Sequence, residues 1–401
     1  MIRAGVLCAL LLPASHLHAA PLTLAAAIDA AFARNPELAA VRQDIGIAEG
    51  ERRQAGLLPN PELSWEAEDT RRDTRTTTVM LSQALELGGK RGARIDVAER
   101  GQDAARLELE RRSLELRADV LLAFHAAARA HTAVELAGQS LQLAERGLRV
   151  ADGRVRAGQV SPVEATRAQV QLAETELQLR KARTAQADSL RQLARVIGTQ
   201  EGEFDSLHSA DLAPGQAPTA AALFDRLEQA PALRLAEAQI QQREAMLGSA
   251  RAQRVPNLTV SVGSQYSRED RERVNVVGMS MPLPLFDRNQ GNVLAASRRA
   301  DQARDLRNAV ELDLRTRTRS ALEQWSTASS EVESFSRIIL PAAQQAVDTA
   351  TRGFEMGKFG FIDVLDAQRT LIDARGRYLQ ALAAGSEARA AIERIYGANP
   401  L

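Results

Sequence analysis

Cysteine is all but missing: the 401 residues contain one, Cys8, near the start of the chain. Beyond it no disulfide framework and no thiolate metal site can form. Aromatic residues make up only 3% of the chain, which argues against an ordinary globular core, where Phe, Tyr and Trp supply much of the buried area. Of the 51 basic residues only Lys90, Lys181 and Lys358 are lysine, and 51 acidic residues balance them. The neutral sum gives no sign of a nucleic-acid partner. After the first turn of sequence, no run approaches the roughly 18–20 apolar residues that carry a helix across a bilayer. Histidine is equally sparse. His125 and His131 lie six apart, on different faces of a helix, and His208 stands alone. No HExxH, CxxC or carboxylate–histidine cluster occurs, nor a nucleophile–base pair or a glycine-rich phosphate loop. Neither a metal site, a cofactor nor an enzymatic activity is expected.

What is present begins with an export signal. Arg3 supplies a positive start, Ala4 to Pro13 is a short apolar segment, and Leu17-His18-Ala19 or His18-Ala19-Ala20 offers a small-residue cleavage site. Residues 1–20 read as a secretory signal peptide, with the mature chain starting near Ala20 or Pro21. Cys8 sits inside the apolar segment and not at the cleavage site, so no lipid anchor is expected.

The rest of the chain is written twice. Pro256 repeats Pro59 at an offset of 197, and Ser280 repeats Ser82 at 198. Gly357, Gln368 and Gly397 repeat Gly158, Gln169 and Gly198 at 199. A near-constant offset signals tandem duplication. The copies span 22–198 and 221–397, joined by a linker over 199–220. Each copy opens with a helix, Leu24 to Gly56 and Ala221 to Arg254, interrupted near Pro36 and Pro231. Two runs of period two follow, within 61–87 and 257–285. Leu258, Val260, Val262 and Tyr266 alternate with Thr259, Ser261, Gly263 and Gln265, and Val277 to Leu285 alternates likewise. Charged loops, Arg71 to Arg75 and Ser267 to Arg273, separate the strands of each hairpin. Long helical patterns then fill 92–198 and 292–397, with Pro341 the one interruption in the second copy. From Gly92 to Arg156 there is no proline, which predicts a rod of roughly 95 Å. Such helices must lie side by side, in a coiled coil or helical barrel.

The hairpins carry the sharper expectation. A tilted strand of about 9–11 residues spans the hydrocarbon layer, and lipid admits only a closed sheet. One chain offers four strands, and a barrel needs about eight. Copies must therefore join, and three would supply twelve strands. The competing expectation is a soluble periplasmic coiled-coil scaffold capped by two hairpins.

Three stretches resemble the outer membrane efflux protein family, the TolC-like channels, and within it the CzcC-like heavy-metal efflux subgroup. They are Leu58-Pro59-Asn60-Pro61-Glu62-Leu63, the run from Leu81 through Leu87 to Gly88-Gly89-Lys90-Arg91, and Gly357-Lys358-Phe359-Gly360-Phe361-Ile362-Asp363-Val364-Leu365-Asp366-Ala367-Gln368. The resemblance implies a mainly α-helical, duplicated fold. Its long helices form a periplasmic α-barrel, and two hairpins per chain contribute to a twelve-stranded β-barrel of a homotrimer. It implies a passive exit duct in the outer membrane, fed by a periplasmic adaptor and an inner-membrane RND pump and needing no cofactor. Divalent heavy-metal cations are the implied cargo, with drug efflux or type I secretion as the alternative. By residue match, Asp363 and Asp366 fall at the pore constriction. Gly158, Ser161, Glu164, Gly357, Lys358 and Gly360 form the helix-turn tips that meet the adaptor. The drug-efflux branch often carries Arg shortly after the tip glycine, where this chain has Lys358 and Phe359, so its latch contacts are expected to differ.

Read from the residues alone, Ser161 is a helix cap, Pro162 fits the first helical position and Glu164 the capping-box position. Asp363 repeats that position and suits the positive helix end. Asp366 lies one turn further on and the cap does not explain it. A ring of three copies of it would favour cations.

Overall fold

The computed structural model describes residues 22–69, 71–200, 207 and 212–397; the signal peptide expected over 1–20 lies outside them. The chain starts with α1 (Leu24–Arg34) and α2 (Pro36–Ala55), then β1 (Glu62–Glu68) and β2 (Thr76–Leu85), then α3 (Lys90–Arg156) and α4 (Pro162–Ile197). The second copy runs α5 (Ala220–Phe224), a short 3-10 turn, α6 (Pro231–Ala252), β3 (Leu258–Ser267), β4 (Glu272–Ser280), α7 (Gln290–Ser334), α8 (Leu340–Glu355) and α9 (Phe361–Tyr396).

Local chemistry sets most of the boundaries. Asn35 divides α1 from α2: its side-chain oxygen accepts the Leu38 N–H at 3.0 Å, and Pro36 occupies the first turn it caps. The Asn35 amide also donates to the Val196 carbonyl at 2.8 Å, tying the break to the end of α4. There Gly198 adopts φ +83°, and a Cβ on it would lie 2.7 Å from the Arg34 carbonyl oxygen. α3 contains 67 residues, a rod of about 100 Å. Pro341 has no N–H, and its ring clashes with the carbonyl four residues back. The chain answers with a π-helical turn, Phe335–Ile339, between α7 and α8.

The four strands form one antiparallel sheet in the order β1-β2-β3-β4. β2 and β3, one from each copy, pair along their full lengths, Thr76 opposite Ser267 and Leu85 opposite Leu258. The two hairpins thus fuse into one sheet whose edges, β1 and β4, have no strand partner among the described residues. β4 ends at Ser280 and not at Leu285 as the alternation predicted. Pro282 and Pro284 cannot donate to a ladder, so the alternating run Met281–Leu285 leaves the sheet.

The Gly88-Gly89-Lys90-Arg91 corner turns the first hairpin into α3. Both glycines are left-handed, φ +71° and +72°, a region closed to most side chains. Lys90 Nζ then donates to Asn257 Oδ1, linking this corner to the Val255-Pro256-Asn257 stretch of the other copy.

The core is thin and alanine-rich, spread along the rods. One cluster joins α1, α2, α3 and α4 through Ile28, Leu38, Phe124, Leu193 and Ile197. Its counterpart joins α5, α6, α7 and α9 through Leu223, Leu233, Trp325, Ile392 and Tyr396. Trp325 Nε1 donates to the Pro214 carbonyl at 2.9 Å, strapping the linker across α7.

His125 is buried between α3 and α9, its Nδ1 3.1 Å from Ser386 Oγ. Burial, with the Arg389 and Arg129 guanidinium groups nearby, holds its pKa down at about 4. The folded protein therefore resists a proton that the unfolded chain takes up near pH 6.5. Stability is whole above pH 6.5 and falls as pH drops toward 4, by up to about 3 kcal/mol. His125→Gln is expected to flatten the dependence of Tm on pH across that window. An unchanged slope in the variant counts against His125 as its source.

Candidate functional site

The two ends of the bundle carry the features that bear on function: helix turns at one end and strand faces at the other. The turns are built alike. After α3, Gly158 is left-handed (φ +70°); its N–H donates to the Val155 carbonyl at 3.0 Å, and the Gln159 N–H to the Arg154 carbonyl at 2.9 Å. After α8, Gly357 is left-handed (φ +74°); its N–H donates to Phe354 at 3.0 Å, and Lys358 N–H to Gly353 at 2.8 Å. Both are Schellman motifs, where a non-glycine residue is strained. They superpose at the 199-residue offset bond for bond.

The helices that follow are capped differently. Ser161 Oγ accepts the Val163 N–H at 3.3 Å. The capping box expected from Glu164 does not close: its Oε2 is instead buried without a hydrogen-bond partner. In the second copy the Gly360 N–H donates to Asp363 Oδ2 at 2.9 Å. Asp363 thus holds the start of α9 while remaining exposed, and Asp366 is exposed one turn beyond. At the same offset the first copy places Glu164 and Arg167. The doubly acidic turn belongs to the second copy alone.

The two turns are locked together by residues that sequence reading passed over. The Arg154 guanidinium lies 4.6 Å over the Phe354 ring, and its Nη1 donates to the Phe354 carbonyl at 3.0 Å. Phe354 packs against Phe361 at 5.3 Å between centroids. Phe359 lies against Gly353 so closely that a Cβ there would meet its ring at 2.1 Å. Partners 200 residues apart leave no local signal; the one hint is three Phe-Gly neighbours in a short segment, Gly353-Phe354, Phe359-Gly360 and Gly360-Phe361. Around these turns Met356, Phe359, Ile362 and Val163 are exposed.

At the other end the sheet has two unlike faces. Leu63, Leu81, Val262 and Val277 stand opposite one another across all four strands, with Trp65 and Val79 in the row above and Val260 and Met279 below. These side chains are open to solvent in the protomer: Val277 is 77% exposed, Met279 78% and Trp65 67%. Below the strands Leu283, Leu285 and Phe286 extend the band toward the helices. The opposite face carries Glu62, Ser64, Glu66 and Glu68 on β1, Thr76, Thr78, Met80 and Ser82 on β2, Ser261, Gly263 and Gln265 on β3, and Glu272, Val274, Val276 and Gly278 on β4; it is mainly polar over β1 to β3 and mixed on β4. The alternation of acids with Leu63 and Trp65 in β1 was legible in the sequence, and the β1 acids were missed. Among the described residues no helix is long and apolar enough to cross a membrane, and no group of three or more His, Cys, Asp or Glu is placed to hold a metal ion.

The pattern of the outer membrane efflux protein family matches this chain twice, over 27–199 and 223–398. The chain belongs to that family. Among its relatives, the cobalt-zinc-cadmium resistance protein CzcC of Cupriavidus metallidurans is 40% identical over 381 residues, 94% of this chain and 91% of that one. The nickel-cobalt-cadmium resistance protein NccC of Alcaligenes xylosoxydans xylosoxydans is 29% identical over 62% of this chain and 56% of its own length. Among solved structures, CusC, described in connection with folding and transmembrane channel formation, superposes with a TM-score of 0.80 at 17% identity, over 94% of this chain and 92% of that one. The efflux-protein fold accounts for the duplicated hairpin-and-rod architecture.

Proposed function

We propose that three copies of this chain close into a passive duct through the outer membrane that releases divalent heavy-metal cations delivered by an inner-membrane pump and a periplasmic adaptor. The observation that carries the duct is the sheet. It has one apolar face, one polar face and two unpaired edges, and four strands are too few to satisfy their own backbone in lipid. Pairing β4 of one protomer with β1 of the next removes every edge and turns the polar face, with its β1 carboxylates, toward the lumen. The cargo rests on the likeness to the cobalt-zinc-cadmium resistance protein.

At the far end, the helix turns form the tip. Gly158, Ser161, Glu164, Gly357, Lys358 and Gly360 shape two adjacent exposed turns. The apolar side chains Val163, Met356 and Ile362 beside them give an adaptor a surface to cover. Asp363 and Asp366 lie on one helix in the acidic turn. Three copies about one axis form the constriction and favour cations over anions.

Planar-bilayer recording of the purified protein tests this reading. A conducting, cation-preferring pore is expected. In the Asp363→Asn, Asp366→Asn variant the cation-to-anion permeability ratio is expected to fall toward one, with conductance retained. An unaltered ratio rejects the acidic constriction, and a protein that never conducts rejects the duct.

A further inference from the structure

The register of the sheet places arginines where the apolar face ends. The outermost complete row on that face is Ala67, Thr77, Tyr266 and Arg273. One step further out, the Arg268 N–H donates to the Arg75 carbonyl at 3.1 Å, so the β2–β3 ladder continues past the strands, and alternation puts Arg75 and Arg268 on the same side as Tyr266. Arg271 stands beside them in the turn between β3 and β4, left-handed at φ +51°. Four arginines thus follow directly on Trp65, Val79 and Tyr266, at the end of the sheet remote from the helices. Arg268, Arg271 and Arg273 are exposed. The Arg268 Nη1 donates to the Arg72 carbonyl at 3.3 Å, which props its guanidinium beside the first hairpin, and Arg75 is half-buried, its Nε covered and without an acceptor.

The acids of these loops do not cancel this row. Asp69 is held by Arg71 and by the Thr74 hydroxyl, 2.6 Å away. Asp270 accepts from Ser267 Oγ at 2.9 Å. Glu272 stands opposite Ser267 on the polar face of the sheet. Glu269 and Asp73 are exposed at the turn tips.

We propose that Arg75, Arg268, Arg271 and Arg273 form a collar that binds phosphate-bearing lipid headgroups in the outer leaflet. The placement rests on the duct reading, which sets the apolar face in lipid and the hairpin turns outside. The chemistry follows from the residue type. Guanidinium forks match phosphate oxygens two at a time, and their stems lie along the apolar surface below. A lipid satisfies both halves of the site, acyl chains on Val79, Val262 and Val277 and phosphate on the arginines. A free anion satisfies only one.

The test uses the intact detergent-purified protein, titrated with phosphatidic acid or with diacylglycerol of the same acyl chains and read by native mass spectrometry. Phosphatidic acid is expected to be retained at least about tenfold more tightly, the effect of one well-made charge-assisted hydrogen bond. The variant Arg75→Gln, Arg268→Gln, Arg271→Gln, Arg273→Gln is expected to hold the two lipids alike while still conducting. Should that variant not assemble, Arg271→Gln and Arg273→Gln singly are each expected to weaken phosphatidic acid retention. Equal retention of the two lipids by the wild-type protein overturns the collar, as does a preference that survives in every variant. Displacement of the lipid by inorganic phosphate alone replaces the collar with a simple anion site. Conductance on the same preparation separates the two ideas: a conducting protein without lipid preference loses only the collar, and a protein that does not conduct loses the duct as well.

Discussion

Gly263→Ala is expected to prevent assembly of the channel, while Gly278→Ala is expected to be tolerated. The two glycines lie on the same polar face of neighbouring strands. A Cβ on Gly263 would sit 2.3 Å from the Val79 carbonyl oxygen and 2.9 Å from Met80 Cα. Those atoms are backbone of the adjacent strand and can retreat only by opening the β2–β3 ladder, the seam that fuses the two hairpins into one sheet. A Cβ on Gly278 would meet only the Ser261 hydroxyl, at 2.8 Å, and that side chain can rotate away. The first substitution is expected to cost at least about 3 kcal/mol and the second under about 1 kcal/mol. Outer-membrane fractions run on native gels, followed by bilayer recording, check this. Equal assembly of the two variants removes the claim that the seam admits no side chain.

The second large effect is expected in the cell. A strain lacking this protein is expected to lose tolerance to cobalt, zinc and cadmium to the level of a strain lacking the whole pump. The reason is positional: in the proposed duct this chain is the last passage for cations handed on by the pump. Tolerance is expected to return with the wild-type chain and not with Gly263→Ala. Growth in graded metal decides it, and unchanged tolerance to all three metals rejects the metal cargo while leaving the duct standing.

How much of this was legible beforehand depends on the range of the physics involved. The breaks at Pro36 and Pro231, the left-handed Gly158 and Gly357, and the Ser161 cap all follow from a residue and its immediate neighbours, and alternation in β3 separates the two sheet faces from sequence alone. Alternation alone carries β4 to Leu285, but Pro282 and Pro284 lack the N–H a ladder needs, and the strand ends at Ser280 whatever the hydropathy. Glu164 holds the box position by spacing, but its Oε2 is buried without a hydrogen-bond partner and the box does not close. The clamp of Arg154 on Phe354 and the fit of Phe359 over Gly353 depend on two hairpins meeting after folding. The arginine row needs the strand register, since Arg75 and Arg273 become neighbours only when β2, β3 and β4 are aligned.

The π-helical turn at Phe335–Ile339 has a bearing on symmetry. It adds one residue to a turn of the rod and so rotates everything beyond it by about 100° relative to an unbroken helix. α3, its counterpart in the first copy, runs through without such a turn. Two halves descended from one ancestral unit therefore present different faces below that level. In the proposed ring of three chains, six repeats that look alike near the sheet are therefore no longer equivalent at the tip.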